Sequence, residues 1–351
     1  AIHLSEGTIM KINIFQWRYS PFLILPTLWL CAGNAQAAAT CTANLNSGNV
    51  IISNALTPSN VNSESITATL EYNCRNTGGD RRYVSVCLAV DGGEYNSGSL
   101  YPRYLKTASG PNDLAFTMTL PGGALWGTRS SGAGSEYNSG ARSLQPGESF
   151  SGSVPINISL IPNSGNELAI PGVYTNNFGN GNHTAITVQD RVLSISSDCS
   201  AGGQGNGRFP FQIQATVVPS CEVTATSSNV NLGSRSAHET NISGNNSINV
   251  NCTTGARYNI GLAPSNGNMG GAGVMSGLTT GNTDKVPYQL RSSAGIGGTI
   301  WGNTATSNAV GNGVAGIGNG APQPQTVYVT VPSADFKPDN YSDTVTINVN
   351  Y

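Results

Sequence analysis

Cysteine is the residue type in this chain whose chemistry the sequence defines best. The sequence has seven cysteines. Six of them lie beyond residue 37: Cys41, Cys74, Cys87, Cys199, Cys221 and Cys252. No two of them form a Cys-x-x-Cys pair, which disfavours a zinc site or dithiol redox chemistry. An even number of cysteines is typical of the disulfides of an exported protein, so we expect three disulfide bonds and no metal or other cofactor.

The first 37 residues have the pattern of a secretory signal peptide. Lys11 and Arg18 supply positive charge, an apolar run follows over 21–30, and the small-residue motif Ala35-Gln-Ala37 ends the segment. The run is too short for a comfortable membrane span. We therefore expect cleavage after Ala37 and export, with the residues before Met10 lying upstream of the signal.

Composition and motifs exclude several classes of function. Charged residues make up 10% of the chain and the net charge is −2, which does not favour binding to nucleic acid. The sequence has no Gly-x-Ser-x-Gly, His-Glu-x-x-His or phosphate-binding loop motif, so it does not predict an enzyme. His183 and His238 stand alone in polar segments, where we expect solvated side chains.

The elements that must position these residues are β-strands. Apolar residues alternate with polar ones in four segments bounded by Gly, Pro, Asn and Ser: 66–70, 84–88, 154–158 and 345–349. Alternation with a period of two is typical of strands with one buried face, and no long segment has the helical period. With 44 glycines in the chain, the pattern predicts an all-β protein built as a β-sandwich.

The chain uses this design twice, which predicts two domains over 38–219 and 220–351. Cys41 and Cys74 are separated by almost the same number of residues as Cys221 and Cys252. Each unit then has a Trp-Gly pair, at 126–127 and 301–302, and a late turn that ends in tyrosine, at 171–174 and 338–341. The repeat predicts the disulfides Cys41–Cys74 and Cys221–Cys252, each joining the first two strands of a domain, and leaves Cys87–Cys199 as the third.

A strand with an unbroken apolar edge precedes the second unit. Its alternating apolar residues are Phe209, Phe211, Ile213, Ala215 and Val217. Since alternate side chains of a strand lie on one face, this segment can fill an apolar groove. We expect it to complete the first domain of the same chain.

The second unit resembles the spore coat U domain family. The residues that carry the resemblance are 221–225, 231–233, 248–252, 286–290, 300–302 and 340–351. The ending Tyr-x-Asp-x-Val-x-Ile-x-Val-x-Tyr is the most specific of them. The first unit resembles the family more loosely, through its cysteines, Trp126-Gly127 and Gly172-Val-Tyr174.

Members of this family resemble subunits of archaic, Csu-type chaperone–usher pili. The resemblance implies immunoglobulin-like sandwiches in tandem, the second of which lacks its last strand. A periplasmic chaperone would lend that strand, and an adjacent pilus subunit would replace it at the outer-membrane usher. We expect the acceptor edge of the groove to consist of Val345, Ile347, Val349 and Tyr351, after which no residue remains to form a final strand.

The resemblance, together with the start of the mature chain, implies a place at the tip of the pilus. Only Ala38-Ala-Thr would precede Cys41 after cleavage, which is too short to fill a groove of sandwich length. The chain could then accept a strand but not donate one. We expect export through the periplasm to the cell surface, and a tip adhesin that mediates attachment and biofilm formation.

Apolar loop residues of the first unit are candidates for attachment. They are Leu56, Val61, Ala124, Leu125, Leu168 and Ile170, which we expect at the pole opposite the second domain. Clustered exposed apolar residues mark interaction surfaces, here for a hydrophobic abiotic or host surface. Two alternatives stay open: a structural pilus or coat subunit without a ligand of its own, and a lectin-type adhesin that reads a glycan through loops such as the Asn-rich 176–182.

Overall fold

The computed structural model describes residues 38–351, apart from 109, 111, 133, 193–198, 200–202 and 226–228. Within these residues the chain forms β-strands and three short 3-10 helices, Asn46–Gly48, Arg129–Ser131 and Asn166–Leu168. No helix in this part of the chain is long and apolar enough to cross a membrane.

The strands fall into two groups that share no sheet, and we refer to these groups as the first and second domains. The first domain contains β1 (Ala39–Leu45), β2 (Asn49–Leu56), β3 (Ser65–Asn76), β4 (Arg82–Val90), β5 (Arg103–Leu105), β6 (Leu114–Thr119), β7 (Tyr137–Asn138), β8 (Arg142–Leu144), β9 (Ser149–Leu160), β10 (Gly172–Asn177), β11 (Thr184–Arg191), β12 (Gln204–Gly205) and β13 (Gln212–Val217). The second contains β14 (Cys221–Thr224), β15 (Thr240–Cys252), β16 (Arg257–Pro264), β17 (Ala272–Gly277), β18 (Lys285–Arg291), β19 (Val314–Ile317), β20 (Gln323–Ser333), β21 (Tyr341–Ser342) and β22 (Val345–Asn350).

Each domain is a β-sandwich around its own hydrophobic core, so the predicted all-β class is confirmed. The sheets of the first domain have the strand orders β1-β3-β9-β6-β5, β10-β13-β2 and β12-β11-β4-β7, with β8 also on β4. Those of the second have the orders β14-β15-β20-β18-β17-β21 and β19-β16-β22. Alternation explains the layers: in β3, Ala68, Leu70 and Tyr72 face the core, whereas Thr67 and Thr69 face water.

The two domains repeat three structural details. The Trp126 indole donates to the carbonyl of Leu88, and the Trp301 indole donates to that of Ile260, both at 2.9 Å. A tyrosine hydroxyl in each domain bonds back to the carbonyl four residues earlier, Tyr174 to Ile170 and Tyr341 to Lys337. A disulfide joins the first strand of each domain to the strand beside it, β14 to β15 in the second domain and β1 to β3, not to β2 as the sequence predicted, in the first.

Three disulfides join the pairs that the sequence predicted. They are Cys41–Cys74, Cys87–Cys199 and Cys221–Cys252. The first and third connect residues directly opposite each other on antiparallel strands. The second ties the chain just before β12 to β4, and so fixes the start of the segment that leads into β13.

Candidate strand-acceptor groove

β13 lies between two strands of the first domain. It runs antiparallel to β10, where Ala215 pairs with Tyr174, and parallel to β2, where Ile213 pairs with Val50. The segment before it follows β11, since Gly205 pairs with Thr187 and the amide of Ile186 donates to the carbonyl of Gly207 at 2.9 Å. Residues 204–217 therefore run along β11 and then β10.

The apolar edge of this segment is part of the first domain's core. Its five alternating residues are at most 4% exposed: Phe209, Phe211, Ile213, Ala215 and Val217. The ring of Phe211 stacks on Phe178 with centroids 4.5 Å apart, and Phe209 stacks on Trp126 at 5.9 Å. Only 212–217 form a regular strand, because Pro210 has no amide to donate to a ladder.

The second domain has the same neighbours but no strand between them in its described residues. β21 corresponds to β10, because each contains the tyrosine that bonds back four residues. β22 corresponds to β11, because each pairs with the strand whose carbonyl accepts the tryptophan bond. Between β21–β22 and the segment 229–232 lies an open groove of ≈ 490 Å³.

Apolar side chains from both sheets line this groove. One wall consists of Val230 and Leu232, and the other of Tyr341, Val345 and Ile347. The floor is formed by core residues of several strands: Ile248, Leu262, Met275, Leu290, Val327 and Val329. Val230, Leu232, Val345 and Ile347 are only partly buried, whereas Val50 and Leu56 of β2, at the corresponding place in the first domain, are fully buried.

Polar residues also line the groove, among them Tyr288 and Asp343. The Tyr288 hydroxyl donates to Oδ2 of Asp343 at 2.6 Å, and both residues line the groove. Burial and this bond raise the pKa of Tyr288 above its ordinary value, so the hydroxyl stays protonated. Its ring also covers Gly273, where a Cβ would lie 2.0 Å from the ring. The ring thus fills space beside a residue without a side chain.

The structure brings two of the four predicted edge residues to the groove. Val345 and Ile347 line it, Val349 packs on the second core, and Tyr351 is half exposed beyond the strand. In the described part of the chain β22 pairs only with β16, from Pro264–Val345 to Asn259–Asn350. Its other edge therefore faces the groove without a strand beside it.

The wall opposite Val345 and Ile347, formed by Val230 and Leu232, was not predicted from the sequence. Val230 and Leu232 lie more than a hundred residues before Val345 in the chain. They are separated by a single residue, too short a run for an alternating pattern to predict a strand. Only the fold brings them opposite β21–β22.

Two of the six predicted surface residues are buried, so their prediction as an exposed loop is wrong. Leu56 is 0% exposed and Val61 is 4% exposed, and both belong to the first core. Ala124, Leu125 and Leu168 are exposed, and Ile170 is half-buried. Leu56 is the last residue of β2 and faces the same core as Val217 at the end of β13.

These six residues belong to three loops, and the predicted position opposite the second domain is also wrong for two of them, 56–61 and 167–170. The carbonyl of Leu56 accepts from the amide of Val218, and that of Glu167 accepts from Oγ1 of Thr254 at 2.8 Å. The physical reason is the pairing at the end of β13, where Val217 lies beside both Leu56 at the end of β2 and Gly172 at the start of β10, and β13 then leads into the second domain. Residues 124–125 lie elsewhere, on a hairpin that follows β6 and in which Leu125 pairs with Thr119. Thr119 itself pairs with Asn157, partway along β9.

His183 is not the solvated side chain that the sequence predicted. Its Nδ1 lies 3.0 Å from both carboxylate oxygens of Asp91, and both side chains are mostly buried. The two residues are 92 positions apart in the chain, so no local pattern could have indicated the pair.

No curated protein matches the sequence. Among solved structures, the chaperone–tip adhesion subunit pre-assembly complex CsuC–CsuE from archaic Csu pili of Acinetobacter baumannii is similar, with 13% identity, a TM-score of 0.49, and coverage of 89% of this chain and 100% of that one. The CupB6 tip adhesin from Pseudomonas aeruginosa has 11% identity, a TM-score of 0.31, and coverage of 90% and 95%. The CooA pilin subunit from enterotoxigenic Escherichia coli has 13% identity, a TM-score of 0.24, and coverage of 51% and 99%. Residues 208–348, from the Phe209 segment through most of β22, match the family model of the Spore Coat Protein U domain.

Proposed function

We propose that this chain is the tip adhesin of a chaperone–usher pilus and that its second domain accepts a donor strand. The observation that carries the proposal is internal to the molecule. The groove of the second domain lies where β13 lies in the first, with corresponding strands on both sides. The first domain is thus a filled version of the site that stands open in the second.

An open groove of this kind calls for an extended partner. An uncovered strand edge exposes backbone amides and carbonyls, and apolar walls in contact with water cost about 25 cal/mol per Å². A strand with alternating apolar side chains supplies both the missing hydrogen bonds and the missing core. A periplasmic chaperone would supply it first, and an adjacent subunit at the outer-membrane usher would supply it afterwards.

The use of β13 within the chain supports the tip position. In a fibre built by head-to-tail insertion, the strand that precedes a subunit's sandwich inserts into its neighbour. Here the strand just before Cys221 is buried in the first domain of the same chain. It is therefore not available to a neighbouring subunit.

Attachment then falls to the first domain. The exposed apolar residues Ala124 and Leu125 are the first candidates for contact with a hydrophobic surface. Leu168 and Ile170 lie beside the second domain and can take part only in contacts at the side of the molecule. Each contact is weak, and many pili acting together make attachment firm enough for biofilm formation. A structural subunit without a ligand is the alternative in which these residues are inert.

Donor-strand binding can be tested with a peptide that copies residues 208–218. We expect it to raise the unfolding free energy of the second domain by about 2.7 kcal/mol at a hundredfold excess over its Kd. Ile347→Arg should abolish this effect, because the side chain lines the groove. Thr346→Arg is the matched control, because Thr346 lies on the same strand and is exposed.

The measurement is thermal unfolding of the full chain with and without peptide. A second peptide with aspartate in place of the phenylalanine and isoleucine residues should have no effect. Equal stabilisation of wild type and Ile347→Arg, or an equal loss in Thr346→Arg, would contradict the proposal that the groove is the binding site.

A further inference from the structure

We propose that the pole of the first domain farthest from the second domain binds an acidic polysaccharide. The inference rests on the proposed function to the extent that it makes the first domain the attachment domain. It assigns an anionic glycan to this pole as a second ligand, separate from the hydrophobic contact proposed for residues 124–125.

Strand register locates this pole. Near the start of β3, the carbonyl of Glu64 accepts from the amide of Leu160, at the end of the domain that touches the second domain through 167 and 170. β3 then extends to Arg75, which pairs with Ser149 at the start of β9. Ten residues at about 3.4 Å each put Arg75 roughly 34 Å from that end. We call residues 75–83, 142–149 and 190–191 the distal pole.

Arginine is concentrated at the distal pole. Five of the chain's 16 Lys and Arg residues lie here: Arg75, Arg81, Arg82, Arg142 and Arg191. Two neighbours of β4 bring arginines to its first residues, since Arg142 of β8 pairs with Val84 and Arg191 of β11 pairs with Tyr83. The chain as a whole carries a net charge of −2, so this pole is positive on a molecule that is otherwise slightly acidic.

The acidic residues of the pole are largely engaged within the protein. Asp190 accepts from Arg82 at 3.3 Å and from the amide of Ala38 at 2.6 Å. Glu148 accepts from the amide of Gln145. Asp80 is the third carboxylate of the pole and is exposed.

Three of the arginines remain available to a ligand. Arg75, Arg81 and Arg142 are exposed, and none of them forms an ion pair with the residues that the structure describes. The guanidinium of Arg81 lies 5.6 Å from the centre of the Tyr83 ring, and this contact holds it in place.

The chemistry of these side chains points to a polymer of acidic sugars. A guanidinium binds carboxylate and sulfate groups through two parallel hydrogen bonds, which a point charge such as lysine does not. Arg75 lies beside a surface of exposed hydroxyl side chains, Thr40 and Thr42 of β1 and Ser149 and Ser151 of β9. Hydroxyl groups suit the neutral parts of a sugar chain, and the arginines suit its repeated charges.

The test measures binding of the full chain to immobilised polygalacturonate and dextran sulfate, with neutral dextran for comparison. We expect binding to both acidic polymers, none to dextran, and loss of binding at about 1 M salt, where the screening length is about 3 Å. The combined variant Arg75→Gln, Arg81→Gln and Arg142→Gln should bind about tenfold more weakly.

The matched control removes three positive charges from the second domain. Arg257, Lys285 and Lys337 are exposed there, and their replacement by glutamine should change affinity less than about twofold, with unfolding midpoints checked for both variants. Equal loss in the two variants, binding to neutral dextran, or equally tight binding to duplex DNA would each overturn the proposal. The Ile347→Arg groove variant should bind the polymers like wild type, so this test and that of the groove fail independently.

Discussion

Arg103 shows how a single side chain organises the first domain. Its guanidinium is fully buried and donates to the carbonyls of Asp91, at 2.9 Å, Leu100, at 3.1 Å, and Trp126. Burial lowers its pKa to about 10, with a smaller opposite effect from Asp91, so the side chain stays charged at neutral pH. These bonds attach the loop between β4 and β5 to the backbone of Trp126, which is fully buried in the core.

Replacing Arg103 by glutamine should destabilise the first domain by about 3 kcal/mol, because buried carbonyls would lose a charged donor. Arg142→Gln is the matched control, since it removes the same charge from an exposed position. Urea unfolding followed by circular dichroism measures both. A loss of less than about 1 kcal/mol for Arg103→Gln would mean that water or a shifted loop satisfies these carbonyls.

Residue-level prediction from the sequence succeeded where the signal was local and failed where the partner was distant. The disulfide Cys41–Cys74 followed from a spacing repeated in the second unit. Arg103 was not predicted, since its partners are backbone carbonyls, which leave no trace in residue type. Leu56 and Val61 read as loop residues because they flank turn-forming residues, yet the end of β2 lies in the core.

At the scale of elements, β13 fills a position in the first domain that corresponds to the open groove in the second. Alternation predicted the strand and its apolar edge, because all five buried positions lie within the nine consecutive residues 209–217. The groove that it fills could not be read in the same way. Its walls are β10 and β2, which lie more than a hundred residues apart and meet only through the fold.

Phe211→Ala should lower the unfolding free energy of the first domain by about 3–5 kcal/mol. The reason is the loss of its stack on Phe178 and of the cover that it gives Trp126, whose ring centroid is 6.4 Å away. Gln214→Ala is the matched control, because Gln214 is on the same segment and half-buried on the other face. Urea unfolding should show the loss in the transition of the first domain, and the transition of the second domain should be unchanged. An equal loss in Gln214→Ala would mean that backbone pairing, and not the apolar edge, holds the segment.

At the scale of the whole molecule, the two ends of the first domain differ in structure. One end leads through Val218 into the second domain, where Oγ1 of Thr253 donates to the carbonyl of Val218 and accepts from the amide of Ser220. The other end carries the exposed arginines. A subunit that accepts a strand through its second domain would therefore direct its distal pole away from the fibre.

This polarity predicts where the chain stands in an assembled pilus. Gold-labelled antibody against the first domain should mark only the distal ends of intact fibres in electron micrographs, because β13 is buried within its own chain and cannot join a neighbour. Fibres from cells that express Ile347→Arg should lack the label, since the groove could no longer accept a strand. Thr346→Arg, exposed on the same strand, should keep it. Gold spaced along the shaft would show that the chain donates a strand after all, and would contradict the tip position while leaving the groove as an acceptor.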